Sequence, residues 1–155
     1  LGHKRIVYVS GPSASWSNRQ RRAAARKTAT KVGLDFSVIS ASVPSFEAGL
    51  QAVPSILARK ATAAIAFDDV MAQGVLAGLA ARGVSVPANF SVVGCDDALG
   101  ALMVPVLTTV SGQSAEAGKV SVSLLMQLLE SDALGDACYV LETHLIARST
   151  TSTAP

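Results

Sequence analysis

Two acidic pairs give the first sign of chemistry. Thr62-Ala63-Ala64-Ile65-Ala66-Phe67 runs into Asp68-Asp69, and Ser91-Val92-Val93-Gly94-Cys95 runs into Asp96-Asp97. In each case a short apolar run stops at adjacent carboxylates. Carboxylates at the end of a buried strand cost desolvation energy unless something pairs with them. A polyhydroxylated ligand, a base or a metal would serve. A third apolar run, Arg5 to Ser10, ends in Gly11-Pro12-Ser13-Ala14-Ser15-Trp16-Ser17. There Ser15 and Ser17 offer hydroxyl donors, and Trp16 offers a ring that stacks on a ligand or anchors the loop. In open α/β sheets ligands sit beyond the carboxyl ends of the strands, so three polar loops delivered to one edge predict a binding cleft.

Other chemistries find little support. His3 and His144 have no zinc-ligand spacing. Gly11-Pro12-Ser13 is neither a Walker nor a dinucleotide loop, and no lysine or phosphate-loop pattern accompanies the acidic pairs toward Mg²⁺. No nucleophile–base pair is visible. The expectation is a binding domain with no catalytic residues, no metal and no cofactor. The enzyme alternative uses Asp68 and Asp96 for acid–base work, which requires a strongly raised pKa on one of them.

The elements that must position these loops follow from periodicity. Strands are predicted near 5–10, 35–40, 63–67, 91–95 and 142–147, and helices near 17–32, 46–59, 70–82 and 114–130. Apolar strands alternating with amphipathic stretches give βαβ units and a parallel sheet with helices on both faces. In the first helix Ala23, Ala24, Ala25 and Ala29 allow close approach to the sheet, while its arginines and lysines form a solvated face. Pro54 lies inside the second helix and predicts a kink or break. Asp69 is a good N-cap for the third helix. Val70, Met71, Val75, Leu76 and Leu79, with small residues between them, make that helix apolar on more than one face. One side then meets the sheet and another a partner subunit.

Composition bounds the rest. The 155 residues are 50% hydrophobic and 15% charged, enough for a substantial core. A formal charge of +2 does not argue for nucleic-acid binding by this chain. Nothing approaches the roughly 18 consecutive apolar residues of a membrane span, so no membrane partner is expected. Cys95 and Cys138 do not make a disulfide framework and are read as reduced thiols in a cytoplasmic protein. Leu1-Gly2-His3 reads as an entry in mid-protein, and Ser149 to Pro155 as a frayed tail.

Taken in order, several segments resemble the effector-binding core of the LacI/GalR transcriptional repressors. They are His3-Lys4-Arg5-Ile6, Gly11-Pro12, the serine-rich loop leading to Arg21, and Asp68-Asp69-x-Met71-Ala72-x-Gly74. They continue with Gly83-x-x-Val86-Pro87, Ser91-Val92-Val93-Gly94-x-Asp96-Asp97, Leu107-Thr108-Thr109-Val110 and Leu145-Ile146-Ala147-Arg148-x-Thr150. The resemblance implies a flavodoxin-like, periplasmic-binding-protein-like fold. Residues 1–110 would be the C-terminal effector-binding subdomain. Residues 111–139 would be a crossover segment whose helix packs on the N-terminal subdomain, 140–150 a return strand, and 151–155 a flexible tail.

The helix-turn-helix headpiece that reads operator DNA is absent from this sequence. The function implied is effector sensing by a cytoplasmic repressor, with a sugar or related metabolite reorienting the subdomains. The alternative is a periplasmic sugar-binding protein of a transporter.

The resemblance also assigns roles. Arg21 stands where the family holds the effector by a forked hydrogen bond, and Asp96 is its main effector carboxylate. Asp97 is read as turn-capping. Asp68 stands where asparagine is more common; its charge favours a donor-rich ligand or pairs with Arg21. Ala24-Ala25 replace the family's usual glycine and aromatic. The usual cleft aromatic falls at Pro44, with Phe46 as a substitute, and a usual glutamine falls at Gly112, with Gln113 one place along. The corresponding dimer contact of the family predicts a homodimer through Met71, Val75, Leu79 and Leu102.

Overall fold

The computed structural model describes residues 1–130 and 138–155. The element order is β1 (Arg5–Ser10), α1 (Trp16–Lys31), β2 (Asp35–Ser40), α2 (Phe46–Ala58), β3 (Ala63–Ala66), α3 (Asp69–Ala80), β4 (Ser91–Asp96), a 3-10 turn (Gly100–Leu102), β5 (Thr108–Ser111), α4 (Ser114–Glu130) and β6 (His144–Ile146). The sheet order is β2-β1-β3-β4-β5-β6. All pairs are parallel except β5 with β6, where Val110 faces Leu145. The expected α/β fold with a flavodoxin-like parallel sheet is the one observed. The polar loop expected at 131–137 lies outside the described residues.

Hydroxyl and carboxylate caps start the helices. Ser15 accepts from the Asn18 N–H, Ser45 from Ala48 and Asp68 from Met71, each satisfying a donor that the first turn leaves free. Asp68, not Asp69, is therefore the cap of α3. Gly83 turns the chain after α3 at φ +71°, where the Val84 N–H reaches the Leu79 carbonyl; only glycine adopts this conformation freely.

The core lies on one face of the sheet. Val7, Val9, Ala64, Ala66 and Val92 meet Val53, Ile56, Met71, Val75 and Leu79 from α2 and α3. This arrangement corrects the dimer expectation at three positions. Met71, Val75 and Leu79 are fully buried, so no partner chain reaches them. The second apolar side of α3 packs on α2. The approach is close enough that a Cβ on Gly74 would stand 1.9 Å from the Phe46 carbonyl oxygen. Leu102, by contrast, is 83% exposed. The helix α2 also runs unbroken through Pro54, because buried Val53 and Ile56 hold it on both sides of the proline.

The opposite sheet face carries α1, of which only Asn18 and Ala29 are buried. Ala23 and Ala24 are exposed, so of the four alanines only Ala25 and Ala29 turn toward the sheet, Ala29 buried and Ala25 beside Tyr8 and Ile65. None of the residues of α4 is buried.

The C-terminal segment is pinned rather than frayed. Thr150 is fully buried, accepts from the Thr108 N–H and donates to the Val92 carbonyl. Ser152 bonds Ser91, and the Ala154 N–H reaches the Leu1 carbonyl. Backbone groups at the diverging ends of β4 and β5 need partners, and these hydroxyls supply them.

Candidate ligand site

The ends of β1, β3 and β4 deliver their loops to one edge. Arg21, on the second turn of α1, reaches across it. Its Nη1 donates to the Phe67 carbonyl at 2.7 Å, and its Nη2 meets Asp96 Oδ1 at 2.8 Å. The guanidinium lies 5.1 Å above the Phe67 ring centroid, a favourable position for a cation. Gly11 permits this stack, because a Cβ there would strike the Phe67 ring at 2.6 Å.

The Arg21–Asp96 pair is 34% and 43% exposed. An ion pair that open contributes about 0–1 kcal/mol. It is too weak to explain itself by stability, and it leaves donors and acceptors for a solute. Asp68 stands beside it. Burial raises the Asp68 pKa, with the charges of Asp96 and Asp69 adding to the effect and the Met71 N–H and Arg21 opposing it. One cation thus faces two carboxylates. A hollow of about 270 Å³ adjoins the pair, lined by Tyr8, Arg21, Ile65, Cys95, Val110 and Thr143. Burial pushes the Cys95 thiol up to about 11, so it stays protonated at neutral pH.

The loop above β1 is set by a residue that sequence reasoning missed. Asn18 is buried; its Nδ2 donates to the Gly11 and Pro12 carbonyls, and its Oδ1 accepts from the Tyr8 hydroxyl. Burial pushes Tyr8 up to about 12, which keeps that hydroxyl a donor. An asparagine three residues after a serine cap was the available signal. Ser15 is the cap itself, and its Oγ lies 3.0 Å from that of Ser17. Trp16 is 68% exposed.

Phe46 is not brought to this edge. It opens α2 and lines a separate groove of about 550 Å³ with Gln73, Leu76, Ala77, Met103 and Val104. It does not stand in for the cleft aromatic, because the seat of α2 on α3 turns it toward that groove.

The turn bearing Asp96 is braced from below. Asp69, buried and only 2% exposed, accepts from the Thr109 hydroxyl at 2.6 Å and the Leu99 N–H at 3.3 Å. Gly94 makes room for it, since a Cβ there would stand 2.4 Å from Asp69 Oδ1. Asp96 and Asp97 both take positive φ, +102° and +54°. Non-glycine residues there cost about 1–3 kcal/mol each and persist only where neighbours over-determine them. Among the described residues no group of three or more His, Cys, Asp or Glu side chains is arranged to hold a metal ion.

Comparison with known proteins identifies the family and the fold. Residues 1–151 match the family described as periplasmic binding protein-like domain. Catabolite control protein A of Streptococcus mutans is 30% identical over 96% of this chain and 46% of its own length. The HTH-type transcriptional repressor CytR of Escherichia coli is 29% identical over 99% of this chain and 47% of its own. The chain thus spans about half the length of the curated relatives it matches.

Among solved structures, a dimeric Lac repressor with an 11-residue C-terminal deletion superposes with a TM-score of 0.89. It is 30% identical, over 99% of this chain and 57% of that one. CcpA of Lactococcus lactis superposes with a TM-score of 0.87 at 26% identity, over 97% of this chain and 57% of that one. These relatives are transcription regulators, not enzymes. The chain belongs to the periplasmic binding protein-like domain family, in the branch carried by the LacI/GalR transcriptional repressors.

Proposed function

We propose that this chain is the effector-sensing and dimerising part of a cytoplasmic transcriptional repressor. Its ligand is a small polyhydroxylated metabolite, a sugar or a compound containing one. The observation that carries this reading is the open Arg21–Asp96 pair laid over Phe67 at the strand edge. Vicinal hydroxyls donate to a carboxylate while accepting from a planar guanidinium, so a diol can engage both members of the pair. Asp68 favours a ligand rich in donors, and Ser17 and Trp16 border the same edge. A Lac repressor 31% identical to this chain has been solved bound to ONPG, which supports a small-molecule site on this fold.

The helix α4, with none of its residues buried, is assigned to the other subdomain of the intact protein, at the crossover within 111–139. Ligand held between subdomains shifts their orientation only through its different affinity for the two states. Operator DNA is bound through a separate headpiece, as a Lac repressor dimer has been solved bound to operator.

The test is a thermal-shift and calorimetric panel of D-ribose, D-glucose, D-galactose, cytidine and adenosine on the intact protein. At least one compound should bind, and Arg21→Ala and Asp96→Ala should each cost about 1.5–3 kcal/mol of that binding. Unchanged affinity in both variants refutes the site.

A further inference from the structure

Arg148 lies in the return segment, far in sequence from the Asp96 turn, yet its side chain is built into that turn. Its Nη2 stands 2.8 Å from Asp97 Oδ1, with the two side chains only 18% and 22% exposed. Its Nη1 donates to the Leu107 carbonyl, and its backbone N–H to the Thr108 hydroxyl. Asp97 Oδ1 is fully buried and has no hydrogen-bond donor among the described residues. The charge of Arg148 is therefore what compensates this oxygen. Gly100 belongs to the same device: a Cβ there would stand 2.5 Å from Arg148 Nη1. The turn is thus gripped by Asp69 from one side and by Arg148 from the other, across two residues in conformations that L-amino acids disfavour.

We infer that Arg148 is a positioning residue for the ligand site. Through its half-buried ion pair with Asp97 it holds the strained turn so that Asp96 faces Arg21. The inference rests on the ligand reading above. It adds that the segment just after β6 carries a residue that sets the ligand carboxylate. The two ion pairs divide the work. The open Arg21–Asp96 pair is exchangeable, and the closed Asp97–Arg148 pair is structural to the turn.

The test needs no ligand. Hydrogen exchange of backbone amides and NMR exchange of the Arg21 guanidinium protons are followed in the 155-residue chain. In Arg148→Gln the Leu99 amide and the Arg21 guanidinium protons should exchange about tenfold faster or more, while amides in β1 and α3 keep their protection. Asp97→Asn should give the same local pattern, and it serves if Arg148→Gln does not fold. Arg148→Lys, which keeps the charge but not the fork, should fall between.

Unchanged Arg21 and Leu99 exchange in Arg148→Gln or Asp97→Asn overturns the inference. So does a uniform loss of protection, which marks a merely structural role. Either result is distinct from failure of the ligand reading, which the sugar and nucleoside panel decides through Arg21→Ala.

Discussion

Asp68 titrates inside the site, and its effect on stability has a definite sign. Burial raises its pKa above the ordinary 3.8. The folded chain therefore holds this proton to higher pH than the unfolded chain does. The stability it lends is complete below the ordinary value and is lost as pH rises through the raised one. D68N keeps a carbonyl oxygen for the Met71 N–H and removes the ionisation. Its Tm should match or exceed that of wild type, by a margin that widens from about pH 4 upward and then levels. A flat difference from roughly pH 3 to pH 8 counts against this account. Asp68 was legible in sequence as an acid at a strand end. That it, rather than Asp69, caps α3 was not, because two adjacent aspartates are equivalent until the helix axis is placed.

At the scale of elements, two contacts decide how the site is framed. Asn18 ties α1 to the loop after β1, and Asn18→Ala orphans the Tyr8 hydroxyl and takes one of two donors from each of the Gly11 and Pro12 carbonyls, which keep the Ser10 hydroxyl and the Ser15 N–H. A buried orphan costs about 1–3 kcal/mol, so the loop should loosen and the Tm fall below that of surface alanine variants, as calorimetry would record. The second contact is the close seat of α3 on α2. Gly74→Ala sets a methyl group against the Phe46 backbone carbonyl, which cannot yield like a side-chain end. It should destabilise by about 3 kcal/mol or more, read as a lower urea midpoint. The small residues of α3 were visible in sequence, but their partner was not. A helix that is apolar all round declares burial without naming the neighbour.

For the whole molecule, the same distinction separates folding from association. Val75→Glu places a charge in the core beside α2 and should unfold the chain rather than split a dimer. Val104, 96% accessible, lines the groove with Phe46, and Leu102, 83% accessible, lies two residues before it in the chain. Exposed contiguous apolar surface marks an interface, and a two-fold pairing uses one patch from both chains. Val104→Glu should therefore keep the circular dichroism of wild type while shifting sedimentation from dimer toward monomer at roughly tens of micromolar. Wild type sedimenting as a monomer at that concentration defeats the interface.

Strand and helix order, the parallel sheet and the polar edge with Asp68 and Asp96 were readable from local pattern. They depend on alternation, capping chemistry and the placing of charge after apolar runs, which neighbouring residues encode. The family resemblance carried Arg21 to Asp96 across 75 residues, a reach that no spacing within one element could show. Tertiary structure alone decided which apolar residues are core and which are surface, since Met71 and Leu102 are alike as residue types and opposite in burial. It also decided that the C-terminal segment is pinned, because hydroxyls in a polar tail find partners only where β4 and β5 diverge. Arg148 belongs to the same class: its meaning lies in one buried oxygen of Asp97, 51 residues away along the chain.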